Sequence, residues 1–388
     1  MSGPIHLSYP CLQGNEQAYV LDCLKSEWIS TGGAYVGRFE SALARSVGAS
    51  SAVACVNGTA ALHICLLLAG VRPGEEVLVP TLTFIAPVNA VRYANAEPVF
   101  LDCDDYLNLD VAKLEHFLEE KCRQDDEGVV NQKTGRRIRA IVPVHVFGSV
   151  CDMEPLLALS AKYQLTVIED ATEALGSRMK SGTLAGKHAG TMGDFGCYSF
   201  NGNKIITCGG GGMIIAADPT KLAKAKYLTT QAKDDEMYFV HDEVGYNYRL
   251  TAIQEAMGVA QLEQLPSFVE RKKQHYLQYN ERIAGISGLS LLDAPSYCES
   301  NYWFYSVLID PPQYGMTRDE LLKKLGARNI QARPVWKLNH TQKPYSRNQA
   351  FEIQKASYFV EHIVNIPCSV GLTDEEIDQV VDVLRNNR

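Results

Sequence analysis

The feature that most constrains this chain is an alternation of short apolar runs with helical stretches, sustained from Ser51 to Ala216. Residues 51–56 read as a strand ending in Asn57-Gly58-Thr59, and residues 60–69 as a helix stopped by Gly70 and Pro73. Strands are expected at 76–80, 98–102, 140–145 and 166–170, with helices at 84–93, 111–121 and 153–163 between them. Two more strands follow at 196–200 and 212–216, and two helices precede the series at 15–26 and 39–47. Strands and helices in strict turn imply a mostly parallel sheet with helices on both faces.

Beyond Leu265 the texture changes. Residues 267–283 read as one long charged helix, followed by a Tyr/Trp-rich strand at 302–309 and helices at 317–325 and 373–384. The expected division is a large α/β domain over 1–264 and a smaller α+β domain over 265–388. The polar segment 123–139 reads as a surface hairpin or loop inserted between sheet elements.

Hydrophobic residues make up 46% and charged residues 21%, an ordinary globular balance that supplies a sizeable core. The net charge of −8 argues against a nucleic-acid backbone or an anionic membrane as main partner, though not against a small anion in a local pocket. The longest apolar run, 60–71, is broken by His63 and Gly70 and falls short of the ~20 residues of a membrane span. The opening MSGPIHLSYP has no basic stretch followed by an apolar core, so no signal peptide is expected. Eleven scattered cysteines without a CxxC pair read as reduced thiols of a cytoplasmic protein. His63, His145 and His188 lie far apart in sequence and join no ligand cluster, so no metal is expected.

Ligands of open α/β sheets bind beyond the carboxyl ends of the strands, and three features fall there. Gly58 and Thr59 open a helix, where free N–H groups and the positive dipole end suit a phosphate; the turn alone is equally a plain helix cap. Asp170 ends an apolar strand. It is either a capping residue or a carboxylate set against a pyridinium nitrogen, where it would keep the ring protonated. Lys204 follows a strand through Ser199-Phe200-Asn201-Gly202-Asn203 and precedes four glycines. It is either a solvated charge or an amine poised to attack a carbonyl.

In this order the three features resemble pyridoxal-phosphate (PLP) enzymes of the aspartate-aminotransferase fold. Longer blocks carry the resemblance further: VNGTAALH (56–63), VPTLTFIAPVNA (79–90), EPVFLDCD (97–104), PVHVFG (143–148), VIEDATEALGS (167–177), GDFGCYSFNGNKIITCGGGG (193–212) and GYNYRLTAIQ (245–254). Through these the chain resembles the DegT/DnrJ/EryC1/StrS sugar aminotransferases over nearly its whole length, and within them the bacillosamine/legionaminic acid 4-aminotransferase subgroup. Asn201 in place of the commoner His, and glycine throughout 209–212 in place of Gly-Glu-Gly-Gly, fit that subgroup.

The resemblance implies a PLP type I fold, with PLP as cofactor. It makes Lys204 the catalytic lysine that bonds to the cofactor and moves protons, Asp170 the pyridinium partner and Phe84 the ring-stacking aromatic. Glu173 falls where relatives place a Gln or His near the ring hydroxyl. Gly58, Thr59 and Ser199 match phosphate contacts, and Asn247 matches an asparagine reaching the phosphate from a second subunit, which implies a homodimer with shared sites. Thr31 lies in a loop that borders the sugar in the family. Arg249 meets either a diphosphate or a helix carboxylate. Trp336 and His340 are candidates for the far wall of the substrate site, His340 being equally a structural histidine.

The implied reaction moves an amino group from L-glutamate to C4 of a nucleotide-linked 4-keto-6-deoxy sugar, with a UDP-linked 2-acetamido sugar first, for bacterial glycan or polysaccharide biosynthesis. A GDP-linked legionaminic-pathway sugar, a 3-keto-sugar and a non-enzymatic PLP-binding regulatory role are the alternatives. Related 3-dehydratases carry histidine at the lysine position, so Lys204 disfavours dehydration.

Overall fold

The computed structural model describes residues 3–386. Its strands are β1 (Val53–Cys55), β2 (Glu76–Pro80), β3 (Glu97–Leu101), β4 (Cys122–Asp125), β5 (Gly128–Asn131), β6 (Arg137–Ile141), β7 (Thr166–Asp170), β8 (Arg178–Met179), β9 (Phe195–Ser199) and β10 (Gly212–Ala216). Further along come β11 (Leu289–Leu291), β12 (Cys298–Glu299), β13 (Tyr305–Ile309), β14 (Arg333–Pro334) and β15 (Ile363–Ile366). The helices are α1 (Glu16–Lys25), α2 (Arg38–Val47), α3 (Gly58–Leu68), α4 (Ile85–Tyr93), α5 (Val111–Lys121), α6 (Met153–Tyr163), α7 (Pro219–Thr229), α8 (Ala252–Ile283), α9 (Pro311–Tyr314), α10 (Arg318–Ala327), α11 (Lys355–His362) and α12 (Asp374–Arg385).

The main sheet runs β1-β10-β9-β7-β6-β2-β3. From β9 to β3 every pairing is parallel, whereas β10 runs antiparallel to both its neighbours. Strand β2 is buried at every position because helices cover both faces, which is why it reads as an apolar run from Val77 to Pro80 after Glu76. Separate apolar clusters fill the two faces: Phe39, Leu78, Ile141 and Met213 on one, Ile64, Val79, Ile168 and Ile214 on the other.

Three sequence expectations shift. Segment 123–139 is a hairpin, but β5 pairs with β6 and extends the sheet; Asn131 is fully buried and donates to Glu76 Oε2 at 2.8 Å. The helix expected from residue 267 begins at Ala252, so the 264/265 division falls inside one 32-residue helix. Pro266 stands inside that helix, at the cost of one backbone hydrogen bond. A Thr251/Gln254 capping box starts α8, and its first half packs on α1 and α2, which offsets the lost hydrogen bond. Helix α7 lacked a sequence signal strong enough to anticipate it, although Asp218 caps it and Pro219 opens it.

A second, antiparallel sheet, β11-β13-β15-β14, builds its own core from Tyr305, Val307, Ile309, Leu321 and Val380. Ile5 joins that core from the other end of the chain. Strand β13 starts at Tyr305 rather than at residue 302, because Tyr302 takes a left-handed φ of 51° and turns the chain before pairing begins.

Candidate active site

Strands β1, β7 and β9 deliver their carboxyl ends to one edge of the sheet. Asn57 leaves β1 extended and caps α3, its Oδ1 accepting the Ala60 N–H at 2.8 Å. The first-turn N–H groups of Gly58 and Thr59 have no carbonyl within the helix to bond, so they are available to an anion. A Cβ on Gly58 would stand 3.0 Å from both Ser199 Cβ and Thr172 Cγ2, and one on Gly212 would stand 2.5 Å from the Asn57 carbonyl. Glycine is needed at both places for the three strand ends to converge. They enclose a cavity of about 340 Å³ whose lining includes Gly58, Thr59, Phe84, Glu173, Ser199 and Lys204.

Lys204 reaches this cavity with its side chain 12% exposed, and its Nζ lies 3.5 Å from Glu173 Oε1. Glu173 is itself buried, and its other oxygen accepts the Phe147 N–H at 2.9 Å. Burial pushes the Glu173 carboxyl up to about 7, with the Lys204 charge pulling the other way. Phe147 donates from a left-handed backbone conformation, φ 55°, a strain of the kind that clusters at functional sites. Trp303 packs against the lysine within the cavity lining, with Nζ 4.1 Å from its ring centroid. Phe84 is 53% exposed at the mouth, 6.4 Å from Trp336. An aromatic so open at the lip of a cavity offers a free face for stacking.

Asp170 lies behind these groups, almost completely buried. Burial raises its carboxyl, countered by the Thr172 N–H on Oδ1 at 3.1 Å and by the Lys204 charge. A buried network holds it in place. His145 donates its backbone N–H to the Asp170 carbonyl. The Cys151 N–H donates to His145 Nδ1, so the ring proton sits on Nε2 and is donated to Glu169 Oε2 at 2.9 Å. Glu169 also accepts the N–H groups of Gly190, Met192 and Gly193, satisfying a fully buried carboxylate.

Eight of the sequence candidates therefore share one neighbourhood: Gly58, Thr59, Phe84, Glu173, Ser199, Lys204 and Trp336 line the cavity, and Asp170 lies behind them. The rest lie outside the cavity lining of this chain. Asn247 is exposed and bridges Thr230, and Thr31 is exposed in the loop before α2. Arg249 points its guanidinium to 4.0 Å from Glu40 on α2. His340 shares a 2.7 Å hydrogen bond between Nδ1 and Thr81 Oγ1. Sequence reasoning missed Trp303, Phe147 and Asn301. The first sits in the run Asn301-Tyr302-Trp303-Phe304, whose aromatic density was visible, but no spacing rule links it to Lys204.

The donor set fits pyridoxal phosphate. Helix-end N–H groups and the Ser199 hydroxyl suit its phosphate, the buried Asp170 its ring nitrogen, Phe84 its ring face and Lys204 its aldehyde.

Comparison with known proteins agrees. The chain is 38% identical to a GDP-perosamine synthase of Caulobacter vibrioides, covering 98% of this chain and 97% of that one. It is 34% identical to EpsN of Bacillus subtilis, a putative pyridoxal phosphate-dependent aminotransferase, over 99% and 96%. Among solved structures, DesI with its TDP-sugar product superposes with a TM-score of 0.86 at 25% identity, covering 99% of this chain and 93% of that one. Residues 10–385 match the DegT/DnrJ/EryC1/StrS aminotransferase family: the chain belongs to it and is a PLP-dependent nucleotide-sugar aminotransferase of the type I fold.

Proposed function

We propose that the protein transfers an amino group from L-glutamate to C4 of a nucleotide-linked 4-keto-6-deoxy sugar. The observation that carries this reading is Lys204 Nζ, held inside the strand-end cavity between the Glu173 carboxyl and the Trp303 ring. When bound, PLP supplies the electron sink that makes the donor's α-proton labile. Lys204 Nζ would bond to the cofactor and, when free, would move a proton between the cofactor and the reacting carbon of each substrate in turn. Asp170 keeps a compensating negative charge against the ring nitrogen. Gly58, Thr59 and Ser199 hold the phosphate, and Glu173 orients the ring hydroxyl. Phe84 and Trp336 shape the opening through which both substrates enter.

The nucleotide has two readings. The subgroup resemblance favours a UDP-linked 2-acetamido sugar, whereas the relative named GDP-perosamine synthase favours a GDP-linked one. Offering both 4-keto sugars, with a 3-keto sugar as control, distinguishes them by turnover.

The site is completed by a second copy of the chain. Met237, Tyr238 and Phe239 are all more than 70% exposed on a loop tied down by Asp235, and Trp28 is 60% exposed. Apolar surface of that kind supports a subunit interface. That loop lies eight residues before the exposed Asn247, which supports the reading of Asn247 as a contact to a partner's cofactor.

The decisive experiment records the visible band of PLP-loaded protein before and after L-glutamate, beside Lys204→Ala. Bleaching in wild type alone supports the assignment. A band that glutamate leaves unchanged, or a protein that takes up no PLP, sinks it.

A further inference from the structure

Trp303 is 3% exposed, yet it lines the cavity. Both ends of the residue are fixed. Its ring Nε1–H donates to the carbonyl of Asn203 at 2.8 Å, the residue before Lys204. Its backbone N–H donates to Asn301 Oδ1 at 2.9 Å. Asn301 is fully buried and spends its remaining donors on the other wall of the site. Its Nδ2 donates to the carbonyls of Glu173 and Leu175, each at 2.9 Å, and its own N–H donates to Ser177 Oγ. One amide thus sets both the ring against Lys204 and the backbone that carries the Glu173 carboxyl. Tyr302, between Asn301 and Trp303, holds a left-handed φ of 51° that a bulky residue adopts only under constraint.

We infer that Trp303 is a positioning residue whose indole face holds the Lys204 side-chain nitrogen in the cavity when that lysine is free of the cofactor and protonated, with Asn301 aligning the indole and Glu173 on one scaffold. The inference rests on the reading of Lys204 as the cofactor-bonding lysine. A cation over an indole face is attracted by the ring quadrupole, most strongly where water is excluded. Unlike a carboxylate, the face has no lone pair to take the proton. The face therefore keeps the Lys204 nitrogen in the cavity without itself taking part in proton transfer. Glu173, at 3.5 Å, faces the same nitrogen through charge, at a separation too long for a strong hydrogen bond.

The test uses the full chain freed of cofactor. Lys204 acetylation by acetic anhydride at pH 8 is followed by peptide mass spectrometry, with the exposed Lys25 as internal reference. Tryptophan is replaced by analogues carrying increasing numbers of ring fluorines, in a Trp28→Phe, Trp336→Phe background so that Trp303 alone is labelled. Fluorine drains the ring face while nearly preserving its size. The expected result is a graded rise in Lys204 reactivity, to roughly tenfold, as the ammonium loses its hold. Trp303→Leu, checked for folding by circular dichroism, should match the upper end; if it does not fold, the fluorine series decides. A flat series overturns the role given to Trp303. In parallel, borohydride reduction of PLP-loaded wild type should fix the label on Lys204. A label elsewhere overturns the reading of Lys204 itself, and with it this inference.

Discussion

Lys204 and Glu173 make the sharpest claims at the scale of single residues. Lys204→Ala should lower turnover at least ~10²–10⁴-fold, the span general acid–base catalysis provides, in a steady-state assay of glutamate-dependent amination. Retention of near wild-type turnover would move the chemistry to another group. Glu173 gives a pH signature. Its carboxyl is held near 7 in the fold against an ordinary 4.5, so between those values the folded chain binds a proton that the unfolded chain has released. The stability it contributes is complete below about 4.5 and is lost as pH rises through 7. Glu173→Gln removes that slope. Its melting temperature, measured without cofactor, should gain on wild type between pH 5 and pH 8; a constant difference across that range would show that the carboxyl titrates normally. Lys204, Asp170 and Glu173 were all legible in sequence because short motifs carry them. Trp303 and Asn301 were not, since their contacts to the lysine and to the 173 turn span about a hundred residues of chain or more.

At the scale of elements, the amino end of α3 matters most. Asn57→Ala removes the Oδ1 acceptor of the Ala60 N–H and should cost ~1 kcal/mol in denaturant unfolding. Gly58→Ala places a Cβ 3.0 Å from Ser199 and Thr172, neighbours that belong to two other segments. Overpacking of that kind costs ~1–3 kcal/mol, and it should also weaken PLP uptake, read by equilibrium dialysis. Unchanged uptake would remove the turn from the phosphate site. The strands and helices of the main sheet were readable from periodicity because each is short, buried in a regular way and punctuated by turn residues. Helix α8 was not, because Pro266 is a local stop signal that tertiary packing on α1 and α2 overrides.

At the scale of the whole molecule, the exposed 237–239 tip predicts assembly. Replacing Tyr238 and Phe239 by aspartate should lower the mass seen by light scattering and lower activity together, while circular dichroism stays unchanged. Loss of mass with full activity would mean that each site is complete within one chain. The sequence by itself determined the order of strands and helices, the parallel sheet, and the lysine, aspartate and glycine turn at the strand ends. These are local properties: side-chain periodicity, turn chemistry and the spacing of reactive groups within short blocks. The tertiary structure alone decided that β5 joins the sheet, that Asn301 and Trp303 come from the second sheet's approach to flank Lys204, and that Arg249 faces Glu40 and His340 meets Thr81 within this chain. The physical reason is that packing and hydrogen bonding between distant segments depend on how layers stack, and no periodicity in the chain encodes which residues will meet.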